Sequence, residues 1–265
     1  MKLFFRHYGT GNPVVILHGL FGISDNWVTF GRRLADHFEV FIPDMRNHGH
    51  SPHSQVFDFP SLAEDLFEFS EDHRLKQFIL LGHSLGGKTA MEFSLNYPER
   101  VQKIIVVDIS MRKYKGNSEH QQLINAMISV DFSNVNSRSD IDKQLSETIH
   151  SPRLRQFLLK NVYRRDKTTM SWLLNLKSIN ENLPAIFDHI KPGIPYPGPA
   201  LFIRGELSDY IIEDDMTEIV KNFPGALLKT VTGASHWVHA DAPEEFYNIV
   251  WDFITSDQNI DQDKV

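Results

Sequence analysis

Phe78-Ile79-Leu80-Leu81-Gly82-His83-Ser84-Leu85-Gly86-Gly87-Lys88-Thr89-Ala90-Met91-Glu92-Phe93 decides the fold of this chain. The first four residues form the apolar run of a buried strand, and Lys88 to Phe93 read as helix. Between them Gly-x-Ser-x-Gly stands at a strand-to-helix corner, the pattern of a nucleophile elbow. Such a corner holds a serine on a sharp, strained turn, so that its hydroxyl projects beyond the sheet. Gly82 and Gly86 suit the turn because a Cβ at either place would meet neighbouring backbone. The helix that follows aims its first amides at the site, where they favour a developing negative charge. Ser84 is therefore the candidate nucleophile.

Working outward, short strands alternate with helices. Lys2 to Tyr8 and Val14 to Leu17 read as strands, Trp27 to His37 as helix and Phe38 to Ile42 as strand. Leu62 to Asp72 is an amphipathic helix with Ser61 in the N-cap position. Phe78 to Leu81 and Lys103 to Val107 are continuously apolar, as parallel strands buried on both faces should be. Ala200 to Ile203 and Leu227 to Val231 add two strands, and Glu244 to Ile254 closes the chain as a helix. The alternation implies an α/β class, a doubly wound and mostly parallel sheet with reactive groups at the strand carboxyl ends. From Ser110 to about Pro192 the strand rhythm gives way to helical segments at Glu119–Ser129, Asp140–Ile149, Arg153–Asn161 and Ser171–Ile179. The expected organisation is a core of residues 1–110 and 191–265 with a helical cap insertion at 111–190. Residues 256–265 are expected to form a disordered tail.

Composition narrows the function classes. The 265 residues are enough for one α/β domain with an insertion, and 41% hydrophobic with 23% charged residues is globular. A net charge of −7 argues against nucleic acid and anionic membrane surfaces as partners. Without cysteine there is no disulfide, thiolate chemistry or thiolate-bound metal. The first residues lack a long apolar core, no stretch could span a bilayer, and a cytoplasmic enzyme is expected. No cofactor is called for. The partner expected is a small-molecule ester or thioester, with the protein a monomer or a dimer.

A serine alone is a poor nucleophile and needs an imidazole to take its proton, itself held by a third group. The last third of the chain offers Gly233-Ala234-Ser235-His236-Trp237-Val238-His239-Ala240. The first strand ends in His18-Gly19-Leu20-Phe21-Gly22, and a polar loop reads Asp44-Met45-Arg46-Asn47-His48-Gly49-His50-Ser51. His48 and His50 match no standard metal spacing, so bracing of that loop by Asp44 and Arg46 is expected instead of a metal site.

With these motifs the chain resembles the α/β-hydrolase superfamily and is most similar to YbfF-type bacterial esterases and mitochondrial abhydrolase relatives. The likeness runs nearly end to end and is weakest in the middle third. It implies hydrolysis of carboxylic esters or acyl thioesters and does not name the acyl group; the expected reaction is cleavage of short to medium acyl groups, acyl-CoA among the candidate substrates, through an acyl-enzyme. It also implies that His236 is the base and His239 packs beside it. The amides of Leu20 and Leu85 would form the oxyanion hole.

The superfamily's usual acid position, Gly-x-x-Asp after the next-to-last strand, here reads Gly205-Glu206-Leu207-Ser208 with Asp209 one residue late. Asp108, closing Ile104-Ile105-Val106-Val107-Asp108, is the alternative, and YbfF-type sequences resemble this chain there. Asp108 is the favoured acid, with Ser208 a second partner of the imidazole and Asp209 the rival. Phe21 and Trp237 are expected to wall an acyl pocket. Arg112 and Lys113, opening the insertion, are expected to meet an anionic group of the substrate. A C–C bond hydrolase or lyase of the same fold, and a ligand-binding receptor on this scaffold, are the competing readings. Dehalogenases and epoxide hydrolases need an aspartate where Ser84 stands.

Overall fold

A computed structural model of the chain describes residues 1–115, 118–166 and 169–256. Residues 257–265, most of the expected tail, lie outside the described residues. The amino-terminal part comprises β1 (Phe5–Tyr8), β2 (Asn12–Leu17), α1 (Val28–Leu34), β3 (Phe38–Pro43), α2 (Phe59–Asp72), β4 (Phe78–His83), α3 (Leu85–Asn96) and β5 (Val101–Val107). The middle part comprises α4 (Ser118–Ile128), α5 (Arg138–Ser146), α6 (Pro152–Leu159), β6 (Val162–Arg164), β7 (Met170–Trp172), α7 (Leu176–Glu181) and α8 (Leu183–Ile186). The chain then runs through β8 (Ala200–Gly205), α9 (Asp215–Asn222), β9 (Ala226–Val231), α10 (Val238–Asp241) and α11 (Pro243–Thr255).

Seven strands form one sheet in the order β1-β3-β2-β4-β5-β8-β9. Only β1 runs antiparallel to its neighbour; every other pairing in that sheet is parallel. Side-chain alternation divides the core between its faces. Val15, Leu17, Leu80, Ile104, Val106 and Phe202 pack with Leu62, Leu66 and Phe69 of α2 and with Ala90, Met91 and Phe93 of α3. Val14, Ile16, Ile79, Leu81, Ile105 and Val107 pack on the other face with Leu34, Phe246, Val250 and Phe253 of α1 and α11. β4 and β5 show almost no polar alternation because both their faces are covered. The first of these cores continues through Leu123 and Met127 of α4, Ile141 of α5 and Leu158 of α6.

Two local readings need correction. The N-cap of α2 is Asp58, whose carboxylate accepts from Ser61 N at 2.9 Å, so the helix starts three residues earlier than a Ser61 cap would allow. The segment 171–179 is not one helix. Met170–Trp172 pairs antiparallel with Val162–Arg164, and the helix begins only at Leu176, capped by Asn175. Among the described residues no helix is long and apolar enough to cross a membrane.

Candidate active site

The carboxyl ends of β2, β3, β4, β5, β8 and β9 lead directly into Leu20, Asp44, Ser84, Asp108, Ser208 and His236, which gathers distant parts of the sequence along one edge of the sheet. Ser84 has φ 52° and ψ −115°, in the left-handed half of backbone space that a residue with a Cβ rarely enters. The turn is tight enough that a Cβ on Gly82 would lie 2.1 Å from Gly86 O, and one on Gly86 2.5 Å from Leu17 O. Ser84 N donates to Val107 O at 3.0 Å, tying the corner to β5. Leu85 is the first residue of α3, so its amide has no partner within the helix.

Asp108 also sits at positive φ, 50°, and is fully buried. One carboxylate oxygen accepts from Gly205 N at 3.0 Å. The other accepts from Ser208 Oγ and, at 2.8 Å, from His236 Nδ1. With Nδ1–H donating to the carboxylate, His236 Nε2 is the nitrogen left to accept a proton. The ring is further held by Tyr210, stacked on it with centroids 4.0 Å apart at 22°, and its backbone by His83, whose Nε2–H donates to His236 O at 2.9 Å. Ser208 therefore bonds to the acid and not to the imidazole, because its hydroxyl shares the carboxylate oxygen that His236 uses. Asp209 is exposed, and its backbone oxygen accepts from Arg112 at 2.8 Å.

Beneath these groups lies a layer of buried imidazoles. His18 Nε2 accepts from Met45 N at 3.0 Å, so its Nδ1–H donates to Gly19 O at 2.9 Å. His48 repeats the arrangement, Nε2 accepting from Phe21 N at 3.2 Å and Nδ1–H donating to Arg46 O at 2.9 Å. Each is bonded as a neutral ring, and burial pushes the pKa of His18 down to about 4 and of His48 to about 3. His239 stacks on Trp27 with centroids 4.2 Å apart, and desolvation lowers its pKa to about 3. Asp44 accepts from Ser24 N at 2.6 Å and His50 N at 2.9 Å, while Arg46 grips Asp65 through two hydrogen bonds. This polar loop is thus a brace under the segment that carries Leu20 and Phe21.

Ser84 lines two cavities. The larger, about 730 Å³, is walled by Phe21, His236 and Trp237 from the strand-end loops and by Leu123, Leu154 and Phe157 from α4 and α6. The smaller, about 20 Å³, lies between Leu85, Lys88, Ile109, Tyr114, Ile186 and Phe187. Leu20, His120 and Tyr210 border both, whereas His236 borders only the larger.

Arg112 and Lys113 border neither cavity. Arg112 is engaged by the Asp215 carboxylate at 3.2 Å and lies over the Tyr114 ring, and Lys113 pairs with Asp188 at 3.3 Å. The cations on the larger cavity are Arg33, Arg153 and Lys160 instead.

Sequence reasoning passed over three residues. Tyr210 follows the acid-position loop with no motif around it. His120 enters from α4, where helical patterning alone gives no reason to single it out. Lys88 could have been noticed, since it follows Ser84 by one helical turn on a helix flanked by sheet. It is 1% exposed, and its Nζ donates to the backbone oxygens of Arg112, at 2.8 Å, and Asp188. Desolvation lowers its pKa to about 7.

A family model described as the alpha/beta hydrolase fold matches residues 12–180. The chain is 37% identical over 252 residues to the sn-1-specific diacylglycerol lipase ABHD11 of Xenopus laevis, covering 93% of this chain and 80% of that protein. It is 31% identical over 234 residues to esterase YbfF of Escherichia coli, covering 88% and 89% respectively. Among solved structures, a marine microorganism esterase aligns with a TM-score of 0.92 at 43% identity, covering 95% of this chain and 99% of that one.

Proposed function

The chain belongs to the α/β-hydrolase fold family, and from that premise we propose that it is a serine hydrolase cleaving carboxylic esters or acyl thioesters. The observation that carries this reading is the hydrogen bond of 2.8 Å between Asp108 and His236 Nδ1, beside a serine held at φ 52° on a strand-to-helix elbow.

Each group then has a chemical task. His236 Nε2 takes the proton of Ser84 as its Oγ attacks the carbonyl carbon. Asp108 keeps the imidazole in the tautomer that can do so and stabilises the imidazolium that results. The amides of Leu20 and Leu85 receive the oxyanion, aided by the positive end of α3. The imidazolium returns its proton to the leaving alkoxide or thiolate, giving an acyl-enzyme. Water activated by the same imidazole then releases the acid. Positive φ at both Ser84 and Asp108 supports the reading, since costly backbone conformations gather where function requires a fixed direction.

Residues 111–190 serve in this reading as a cap, because α4 and α6 close the larger cavity opposite the strand ends. A thioester leaving group is compatible with that volume. Recognition of coenzyme A phosphates through Arg112 and Lys113 is not part of the reading, since both side chains are engaged elsewhere.

The test is a panel of p-nitrophenyl esters and acyl thioesters with the wild type and Ser84→Ala. Loss of about a millionfold in kcat is expected for the variant, with its melting temperature retained. Organophosphonate labelling should disappear with it. Turnover or labelling that survives in Ser84→Ala would overturn the assignment.

A further inference from the structure

We propose that the acyl half of the substrate is acetyl-sized and that its bulk is the alcohol or thiol half. This deepens the ester-hydrolase reading and rests on it. The observation is that Ser84 lies between two cavities of very different size, about 730 and 20 Å³, and that His236 borders only the larger one.

The tetrahedral carbon formed on Ser84 carries four substituents. One is Oγ, and a second is the oxyanion, directed to the amides of Leu20 and Leu85. The third is the leaving oxygen or sulfur, which must receive the proton held on His236 Nε2 as its bond to carbon breaks. It has to face the wall where His236 stands, and so projects into the larger cavity, where Phe21, Phe157 and Trp237 supply an apolar lining. The fourth is the acyl chain. It is directed away from the leaving group, into the small cavity between Ile109, Ile186, Phe187 and Tyr210. Phe21 and Trp237 therefore wall the alcohol side, not the acyl pocket expected from sequence.

The small cavity offers little more than the roughly 10–15 Å³ that one water needs, and a methyl group is of about that size. Its walls are held. Ile109 and Ile186 are buried, and Tyr114 is fixed through its hydroxyl, which donates to Tyr210 O. Lys88 borders it with its Nζ held by the carbonyls of Arg112 and Asp188. Each further methylene on the acyl chain must displace packed side chains. In a close-fitting apolar pocket one methylene changes rates by about 10–200-fold.

Two ester series with the wild-type enzyme test this. Across p-nitrophenyl acetate, propionate, butyrate and octanoate, kcat/KM should be highest for acetate and fall at least about tenfold by butyrate. Across ethyl, butyl and octyl acetate, whose leaving alkoxides are alike in basicity, it should rise with chain length. Phe187→Ala should raise the ratio of butyrate to acetate turnover by about tenfold. Butyrate or octanoate turned over as fast as acetate would overturn the proposal. So would a long-chain diacylglycerol preferred to p-nitrophenyl acetate, or octyl acetate no better than ethyl acetate. Failure of the underlying reading looks different: no ester in either series is hydrolysed, or Ser84→Ala hydrolyses them as the wild type does.

Discussion

The two walls of the larger cavity are built by opposite means. On the strand-end side nearly every polar side chain is committed: His18 and His48 each use both ring nitrogens, Asp44 ties two amides, and Asp108 satisfies three donors. The opposite side, from α4 to α8, shares an apolar core with the sheet, and its polar ties to the rest of the chain include those through Asn175, Ser178 and Asn182 to the 47–55 loop and through Arg153 to Asp241. Asn161 Nδ2 donates to Phe21 O at 2.7 Å, Asn175 N to Asn47 O at 3.0 Å, and Lys88 reaches two carbonyls. Two polar atoms on that side, His120 Nδ1 and Asn161 Oδ1, are buried without a partner among the described residues, against one, His239 Nδ1, on the strand-end side. Proton transfer needs groups fixed to within about half an ångström, which a saturated hydrogen-bond network provides. A wall held by apolar packing can change shape at lower cost. Substitutions on the first wall should therefore change rate, and those on the second preference and stability.

The largest effect should come from the acid. Asp108→Asn should lower kcat by about ten-thousand-fold, because an amide there favours the imidazole tautomer that cannot accept the serine proton. Asp209→Asn, at an exposed position, should stay within about twofold of wild type. Steady-state kinetics of both variants decide the matter; a severe Asp209→Asn with a mild Asp108→Asn would move the acid to the other loop.

Acid should weaken the strand-end wall next. His18, His48 and His239 have folded pKa values of about 4, 3 and 3, below the ordinary imidazole value of 6.5. Below pH 6.5 the unfolded chain binds protons that the folded one refuses, so stability falls as pH drops from 6.5 towards 3–4. Melting temperatures across that window should decline steadily, and His48→Gln should reduce the slope. A flat profile would show that these rings are not held neutral.

The smallest effect belongs to Lys88. Lys88→Met should cost about 1–3 kcal/mol at neutral pH by leaving the carbonyls of Arg112 and Asp188 without their donor. Its folded pKa of about 7 lies below the ordinary 10.5, so the unfolded state holds the extra proton between those values. Wild-type stability should rise with pH through that window, and the rise should be absent from Lys88→Met. Chemical denaturation at pH 7 and pH 9 measures both effects; equal stability of the two proteins would show the lysine to be idle.

Legibility in the sequence followed the same division. Strands buried on both faces leave unbroken apolar runs, and the elbow needs glycines where backbone crowds, so β4, β5 and Ser84 could be read directly. Asp108 could be favoured over Asp209 because it ends the strand after the elbow, where the YbfF-type sequences that this chain resembles also carry an aspartate. The strand pair Val162–Arg164 and Met170–Trp172 escaped because strands of three residues show no period. The partners of Arg112 and Lys113 escaped for another reason. Asp215 and Asp188 are remote in sequence, and a cluster of cations looks the same whether it faces solvent, substrate or a carboxylate. Lys88 hinted at burial by its place one turn after Ser84 on a sheet-flanked helix, but the carbonyls that hold it, of Arg112 and Asp188, are remote in sequence.

That last contact has a consequence for how such proteins can diverge. Between β5 and β8 the chain is fastened near its start and near its end, at Arg112 and Asp188, to one amine on the helix that carries the elbow. Everything between them is a loop closed at its base, and lengthening a closed loop adds an entropic cost that grows only with the logarithm of its length. The span can thus be lengthened, trimmed or exchanged for that of another protein while its base stays knotted to the same point. A chimaera that keeps Lys88 and both anchoring residues would inherit a new selectivity on an unaltered catalytic frame.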